Sequence, residues 1–189
     1  MNTIDHKNLP EILFEANQIA QSAGLKILEI YETDFSVVKK DDNSPLTLAD
    51  TEAHKIICES LSKLTPSIPI LSEESSHIDF SERSRWSQYW LVDPLDGTRE
   101  FIKKNGEFTV NIALVDGNKP ILGVVYVPVS ETSYIATINY GAHKSVKEND
   151  LKKISVRKKV FSTHIILLGF HHHPLKLRLF CQCSLKNHL

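Results

Sequence analysis

Cysteine is scarce in this chain, with Cys58, Cys181 and Cys183 the only three among 189 residues. So small and odd a count builds no disulfide framework, and it agrees with a reducing compartment. Cys58 is expected to pack as a small hydrophobe on a helix. No apolar run approaches the roughly 18 residues of a membrane span, which argues against a transmembrane helix. The first residues, Met1-Asn2-Thr3-Ile4-Asp5-His6, lack the basic-then-apolar order of a secretion signal, so a cytoplasmic location is expected. Peripheral attachment at the inner membrane is the alternative. There is no internal repeat and no low-complexity linker, and the length suits one domain or one domain plus an appendage.

Acid is also missing where it would be noticed. Residues 151 to 189 hold 8 Lys+Arg and no Asp or Glu, whereas residues 1 to 150 hold 14 Lys+Arg and all 23 Asp+Glu. A net charge of −1 therefore conceals −9 against +8. Five of the nine histidines and two of the three cysteines fall in the same basic tail. Such a break separates a domain over residues 1–156 from an atypical appendage over 157–189. Hydrophobic content of 41% and charged content of 24% otherwise describe an ordinary globular protein.

The first half reads as two helices. Asn8-Leu9-Pro10-Glu11 has a capping residue, a proline suited to a first turn and an acid three residues after the cap. From there to Ile30 the residues Ile12, Ala16, Ile19, Ala20, Ala23, Ile27 and Ile30 recur at three- and four-residue steps. An extended piece, Phe35 to Val38, leads into a polar loop, Lys39 to Ser44. Thr47 is a candidate cap for a second helix to Leu64, with Ile56, Ile57, Leu61 and Leu64 on one face and Asp50 in the first turn, where the helix dipole favours an acid. Beyond it, Ile68 to Ser72 and Tyr89 to Val92 read as strands separated by a polar, mobile loop, Ser75 to Ser87. Phe108 to Val115, Ile121 to Val127 and Thr132 to Thr137 read as an antiparallel meander broken at Asp116-Gly117-Asn118-Lys119-Pro120 and Pro128-Val129-Ser130. Helices alternating with such a sheet imply a layered α/β (α+β) domain, its helices packed on a largely antiparallel sheet.

Acids cluster at the element boundaries. Leu91-Val92-Asp93-Pro94-Leu95-Asp96-Gly97-Thr98 offers two carboxylates, a carbonyl between them and a helix start. A hard cation such as Mg2+ takes oxygen ligands of this kind and completes its shell with water and phosphate. Pro94 keeps Asp93 extended, so the strand is expected to end there and turn. Gly97 lets the backbone approach a ligand, and the N–H groups that follow suit an anion. Each acid alone has a plain reading as a solvated or turn residue. Their sharing of one order with Ile70-Leu71-Ser72-Glu73-Glu74-Ser75 and with Asn43-Ser44-Pro45-Leu46-Thr47-Leu48-Ala49-Asp50 points to a common site.

These three segments resemble the lithium-sensitive, Mg2+-dependent phosphatases of the inositol monophosphatase superfamily. Gly97-Thr98-Arg99-Glu100-Phe101-Ile102 and Asn105-Gly106-Glu107-Phe108-Thr109-Val110-Asn111-Ile112-Ala113-Leu114 are similar to its 3'(2'),5'-bisphosphate nucleotidase branch. Inositol monophosphatases more usually carry Thr and Asn where Arg99 and Glu100 stand. The resemblance covers roughly residues 9 to 150. It implies the sugar-phosphatase fold and two or three Mg2+ ions held by Glu73, Asp93, Asp96 and the Leu95 carbonyl. It implies that Asp50 and Thr98 position and deprotonate the attacking water, that Glu74 orients water or ligands, and that Gly97, Thr98 and Glu73 meet the substrate phosphate. The implied reaction is hydrolysis of the 3'-phosphate of adenosine 3',5'-bisphosphate, a by-product of sulfate assimilation, by metal-activated water without a phosphoenzyme. The partner is then a small nucleotide bisphosphate and not a nucleic acid, with an inositol or sugar monophosphate as the alternative substrate. Lys39, Lys40 and Lys103 are candidates to steer an anion, with a solvated role as the default; Thr109 and Asn111 default to structural roles.

The superfamily completes its site from a C-terminal half with a Trp-Asp motif whose Asp binds a metal. Here the only tryptophans, Trp86 and Trp90, precede Asp93. The acid-free tail fits translation in a shifted frame after a point near Val156 to Thr163. Its His171, His172, His173, Cys181 and Cys183 offer the rival reading of a soft-metal site, although Cys-x-Cys lacks the usual two-residue spacing. The competing function class is therefore a truncated, non-catalytic pseudoenzyme or interaction module, in which sheet surface lies exposed.

Overall fold

The computed structural model describes residues 3–33, 45–75, 78–147 and 150–156. The Phe35–Val38 piece, the Lys39–Ser44 loop with Lys39 and Lys40, and the His and Cys residues of the 157–189 tail lie outside the described residues. Two units separate by contact, Met1–Ser155 and Val156–Leu189, and every described helix and strand belongs to the first.

Helix α1 (Leu9–Tyr31) buries Leu9, Leu13, Ala16, Ala20, Ala23 and Ile27 completely, the three- and four-residue recurrence of one helical face. Ile12, which the periodicity placed on that face, is only partly buried, and Leu9 and Leu13 take the deeper positions. Asn8 does not cap: its backbone is already helical and its side chain makes no capping bond. A 3-10 turn, His6–Asn8, precedes the helix, and its cap is Asp5, whose carboxylate accepts from the Lys7 N–H at 3.0 Å. The physical reason is economy of donors, since the earlier turn satisfies N–H groups that a cap at Asn8 would have served.

Helix α2 (Pro45–Leu64) starts earlier than Thr47. Proline needs no N–H partner and fits a helix start, so Thr47 falls inside the first turn and Asp50 in the second. The helix dipole therefore does not account for Asp50. Ala49, Ala53, Ile57 and Leu61 are fully buried against the core, with Ile56 and Leu64 at its edge.

Seven strands make one sheet in sequential order: β1 (Ile70–Ser72), β2 (Gln88–Asp96), β3 (Thr109–Asp116), β4 (Lys119–Val127), β5 (Thr132–Thr137), β6 (Gly141–Val146) and β7 (Lys152–Ile154). Only β1 and β2 run parallel; every later pair is antiparallel. A four-residue helix, α3 (Phe80–Arg83), lies in the β1–β2 connection that the sequence reads as loop, and a five-residue helix, α4 (Thr98–Ile102), follows β2. The β3–β4 hairpin turns at Gly117-Asn118, since Asp116 already pairs with Lys119. Pro120 therefore sits within β4, beside a register shift that relieves its missing N–H.

Helices α1 and α2 cover one sheet face, α1 over β3, β4 and β5, and α2 over β1 and β2. The approach of α1 is close: a Cβ on Gly24 would lie 2.5 Å from Cε1 of Tyr126 on β4. Val92, Val110, Ile112, Leu114, Leu122, Val124 and Ile135 bury their side chains toward these helices. Trp90 is fully buried among them, and its indole N–H donates to Thr65 Oγ1 at 2.8 Å. That bond answers the one polar atom of the largest core side chain, and it ties the end of α2 to β2. Helices on a largely antiparallel sheet are thus the observed architecture, as the patterning implies.

Candidate functional site

The proline in Asp93-Pro94 does not end its strand. β2 continues to Asp96, and the register shifts between Asp93, opposite Asn111, and Asp96, opposite Thr109. A bulge is where a strand tolerates proline, and it re-aims the side chains around it. Gly97 then takes φ 97°, a left-handed conformation, and α4 begins at Thr98. A Cβ at Gly97 would lie 2.9 Å from the Glu107 carbonyl oxygen, so glycine is required on two counts. The helix it opens is only five residues long and offers a weaker dipole than the sequence suggests.

The five expected acids share one field. Burial, then the charges of Glu74, Asp93 and Glu73, push the Asp50 carboxyl up to about 7. Burial, then the charges of Glu73 and Asp96 and a proton-sharing contact with Glu73, push Asp93 up to about 7 as well, against a bond from the Leu95 N–H that favours the carboxylate. Asp50 comes from α2, Glu73 and Glu74 from the turn after β1, Asp93 and Asp96 from the bulged end of β2. The Glu73 N–H bonds the Val92 carbonyl at 3.0 Å, which holds that turn against β2. Glu73, Glu74 and Asp96 are exposed, while Asp50 and Asp93 are half-buried. Leu95 is buried. Thr98 is exposed at the start of α4, which packs on α2 and so lies near the helix that carries Asp50. Lys103 is an exposed residue at the end of α4.

A cation is tested here by the atoms that lack partners. Asp93 Oδ1 is buried and makes no hydrogen bond, an arrangement that costs free energy unless something positive faces it. Among the described residues, no three His, Cys, Asp or Glu side chains converge tightly enough to coordinate an ion as they stand. Burial first, and then the neighbouring carboxylates, give Asp50 and Asp93 their raised affinity for protons. The donor set is carboxylate oxygen throughout, which suits a hard divalent cation and not a soft one.

Two side chains join the site that the residue patterns left in the background. Asn111, opposite Asp93 in the register, donates from Nδ2 to Asp96 Oδ2 at 3.2 Å and accepts from Thr109 Oγ1 at 3.2 Å. Its signal in the sequence is a polar residue between Val110 and Ile112, inside a strand whose only other polar residues are its two ends, Thr109 and Asp116. His54, one turn after Asp50 on α2, has Nδ1 2.8 Å from Ser72 Oγ, the residue before Glu73. Cys58, a further turn along, lies 3.6 Å from the same ring nitrogen, and burial pushes its thiol pKa up, which agrees with an inert packing role. A cavity of about 500 Å³ opens beside Glu73, Asp93 and Asn111 and runs along the sheet over Leu71, Leu91 and Gly123.

A fold of this order has counterparts among solved structures. CysQ from Bacteroides thetaiotaomicron, described as a bacterial member of the inositol monophosphatase family, superposes with a TM-score of 0.71 at 41% identity, over 79% of this chain and 59% of that one. The suppressor protein suhB from Bartonella henselae superposes with a TM-score of 0.62 at 28% identity, over 79% and 55%. Among curated proteins, the 3'(2'),5'-bisphosphate nucleotidase CysQ of Escherichia coli K12 is 54% identical over 127 residues, 66% of this chain and 51% of that protein. The CysQ of Buchnera aphidicola from Acyrthosiphon pisum is 46% identical over 158 residues, 82% of this chain and 57% of that protein. The inositol monophosphatase family model matches residues 8–186. The chain belongs to the inositol monophosphatase family. It spans about half the length of the curated relatives it matches.

Proposed function

We propose that this chain carries the acidic half of a divalent-metal phosphatase site whose substrate is a nucleotide 3',5'-bisphosphate, adenosine 3',5'-bisphosphate in the first instance. The observation that carries the reading is the shared field of Asp50, Glu73 and Asp93, with Asp93 Oδ1 buried and unpartnered. Glu73, Asp93, Asp96 and the Leu95 carbonyl would hold Mg2+, two or three ions in all. When bound, Mg2+ supplies positive charge to the phosphate oxygens, lowers the pKa of water and stabilises the departing alkoxide.

The remaining chemistry falls to the chain. Asp50, half-buried on α2 beside these acids, would take a proton from water, with Thr98 orienting that water. The water oxygen bonds to phosphorus as the bond from phosphorus to the 3' oxygen breaks. The proton held at Asp50 passes to the leaving oxygen, and the products are orthophosphate and adenosine 5'-monophosphate. The Gly97 and Thr98 amides bind the phosphate where the left-handed Gly97 lets the backbone approach it. Glu74 orients water through its charge on Asp50, and Glu73 meets both cation and substrate. No protein nucleophile is required.

Support for the nucleotide over an inositol phosphate comes from the CysQ proteins at 54% and 46% identity, which are named as bisphosphate nucleotidases. The second reading is a chain that keeps the metal pocket without turnover. Phosphate release from adenosine 3',5'-bisphosphate with Mg2+, beside a parallel assay on inositol monophosphate, tests the proposal. Release from the nucleotide that disappears in Asp93→Asn is the expected result. No release from folded protein that still binds Mg2+ would leave only the non-catalytic reading.

A further inference from the structure

Ser72 places a hydroxyl where the end of β1 is buried. It is 5% exposed, lies opposite Val92 in the register and follows Ile70 and Leu71 in an otherwise apolar strand. A buried hydroxyl needs a partner, and the partner comes from α2: His54 Nδ1 lies 2.8 Å from Ser72 Oγ. His54 stands one helical turn, about 6 Å of rise, after Asp50, so the two side chains share one face of α2. The half-buried ring is wedged from the next turn, where Cys58 Sγ lies 3.6 Å from Nδ1 and 3.8 Å from Nε2. Contact with both nitrogens sets the sulfur against the ring and limits its swing away from Ser72.

The tie matters because of what Ser72 carries. Its carbonyl accepts from the Ser75 N–H at 3.1 Å, which closes a four-residue turn with Glu73 and Glu74 as the two central residues. Backbone pairing alone restrains this turn poorly. β1 is three residues long, and among the described residues it is the first strand of the sheet, paired in parallel with β2 alone. So short a parallel pair is a weak clamp on the chain that leaves it. We infer that His54 is a positioning residue that, through Ser72, fixes the turn bearing Glu73 and Glu74 against the helix bearing Asp50. The inference rests on the reading of Glu73 as a cation ligand. Groups that orient a ligand from behind are worth about 10–100-fold in metal affinity, and His54 acts through the backbone next to Glu73, so the lower end applies.

Two measurements on the full 189-residue chain separate the tie from the cation. In chelator, hydrogen exchange at the Glu73 and Ser75 amides should quicken about 10-fold in His54→Leu, with the Leu114 amide of β3 unchanged. By calorimetric titration the Mg2+ dissociation constant should rise about 10-fold. Ser72→Ala should give the same two changes, and the double variant no more than either single one, because all three remove one bond. His54→Asn, whose side-chain amide can stand where Nδ1 does, should restore both. Unchanged exchange at Glu73 and Ser75 in both single variants overturns the inference. So does exchange at Leu114 that quickens in step with them, which would make His54 a packing residue of the core. Faster exchange at the turn with an unchanged Mg2+ dissociation constant overturns it as well. A parent chain that binds no Mg2+ defeats the cation reading instead, and the exchange rates then decide the tie alone.

Discussion

Replacing Asp93 by Asn should make the metal-free protein more stable at pH 8 while removing its response to Mg2+. The Asp93 pKa rises from 3.8 to about 7 on folding, so the folded state binds this proton more tightly. The sign follows: the contribution is intact below pH 3.8, is lost as the pH climbs toward 7 and stays lost above it. At 1.36 kcal/mol per pKa unit the ceiling is about 4 kcal/mol. Asp50 and Asp93 lie in one field, and partial solvent contact screens it, so neutralising one of them should return about 1–2 kcal/mol. Asn keeps the shape, still accepts from the Leu95 N–H, and gives Glu73 a donor.

Thermal melts in chelator at pH 8 should therefore place Asp93→Asn about 3–6 °C above the parent, and the gap should close toward pH 4. With Mg2+ at a hundred times its dissociation constant the parent gains about 2.7 kcal/mol and overtakes the variant, which gains little. A variant no more stable than the parent in chelator would refute the repulsion argument. Equal Mg2+ shifts in both would refute Asp93 as a ligand.

Removal of metal by chelator should lower the parent melting temperature more at pH 8 than at pH 6, because protons near pH 7 compete with the cation for Asp50 and Asp93; an unchanged difference across that range would separate the metal from these groups. Gly97→Ala should cost about 1–3 kcal/mol by denaturant unfolding and weaken phosphate binding, since it combines φ 97° with a 2.9 Å approach to the Glu107 oxygen. Trp90→Phe should cost about 2–3 kcal/mol, from lost indole volume and a Thr65 hydroxyl left buried without its donor, and Thr65→Val in that background should recover part of it. Gly24→Ala should cost about 1–3 kcal/mol, because the new methyl meets Tyr126 at 2.5 Å.

What could be read from the sequence depended on whether one residue or two strands decided it. The faces of α1 and α2, and strands β3 to β5, follow from periodicity because the helices bury one side of each. β6 is different. Gly141-Ala142-His143-Lys144-Ser145-Val146 has polar residues on both faces, and no described helix rests on its outer side, so no apolar alternation marks it. β7 is three exposed residues with the same deficit. Pro94 looks like a strand end by its own restriction, and only its pairing partners show the bulge that keeps β2 going to Asp96. The order of the acids was legible, and that Asp50 belongs to their field was legible as a resemblance. Its elevated pKa depends on burial and on charges from two other elements.

The same distinction applies to the sheet face opposite the helices. A row such as Leu71, Leu91, Ala113, Gly123, Ala136, Ala142 and Ile154 draws single residues from seven strands, so its consecutive members lie between 6 and 22 positions apart in the sequence. Within each strand these residues pass for ordinary alternation. Only the register assembles them into one surface and sets Asp93 and Lys144 at opposite ends of a common line. The acidic site is therefore also one end of that surface.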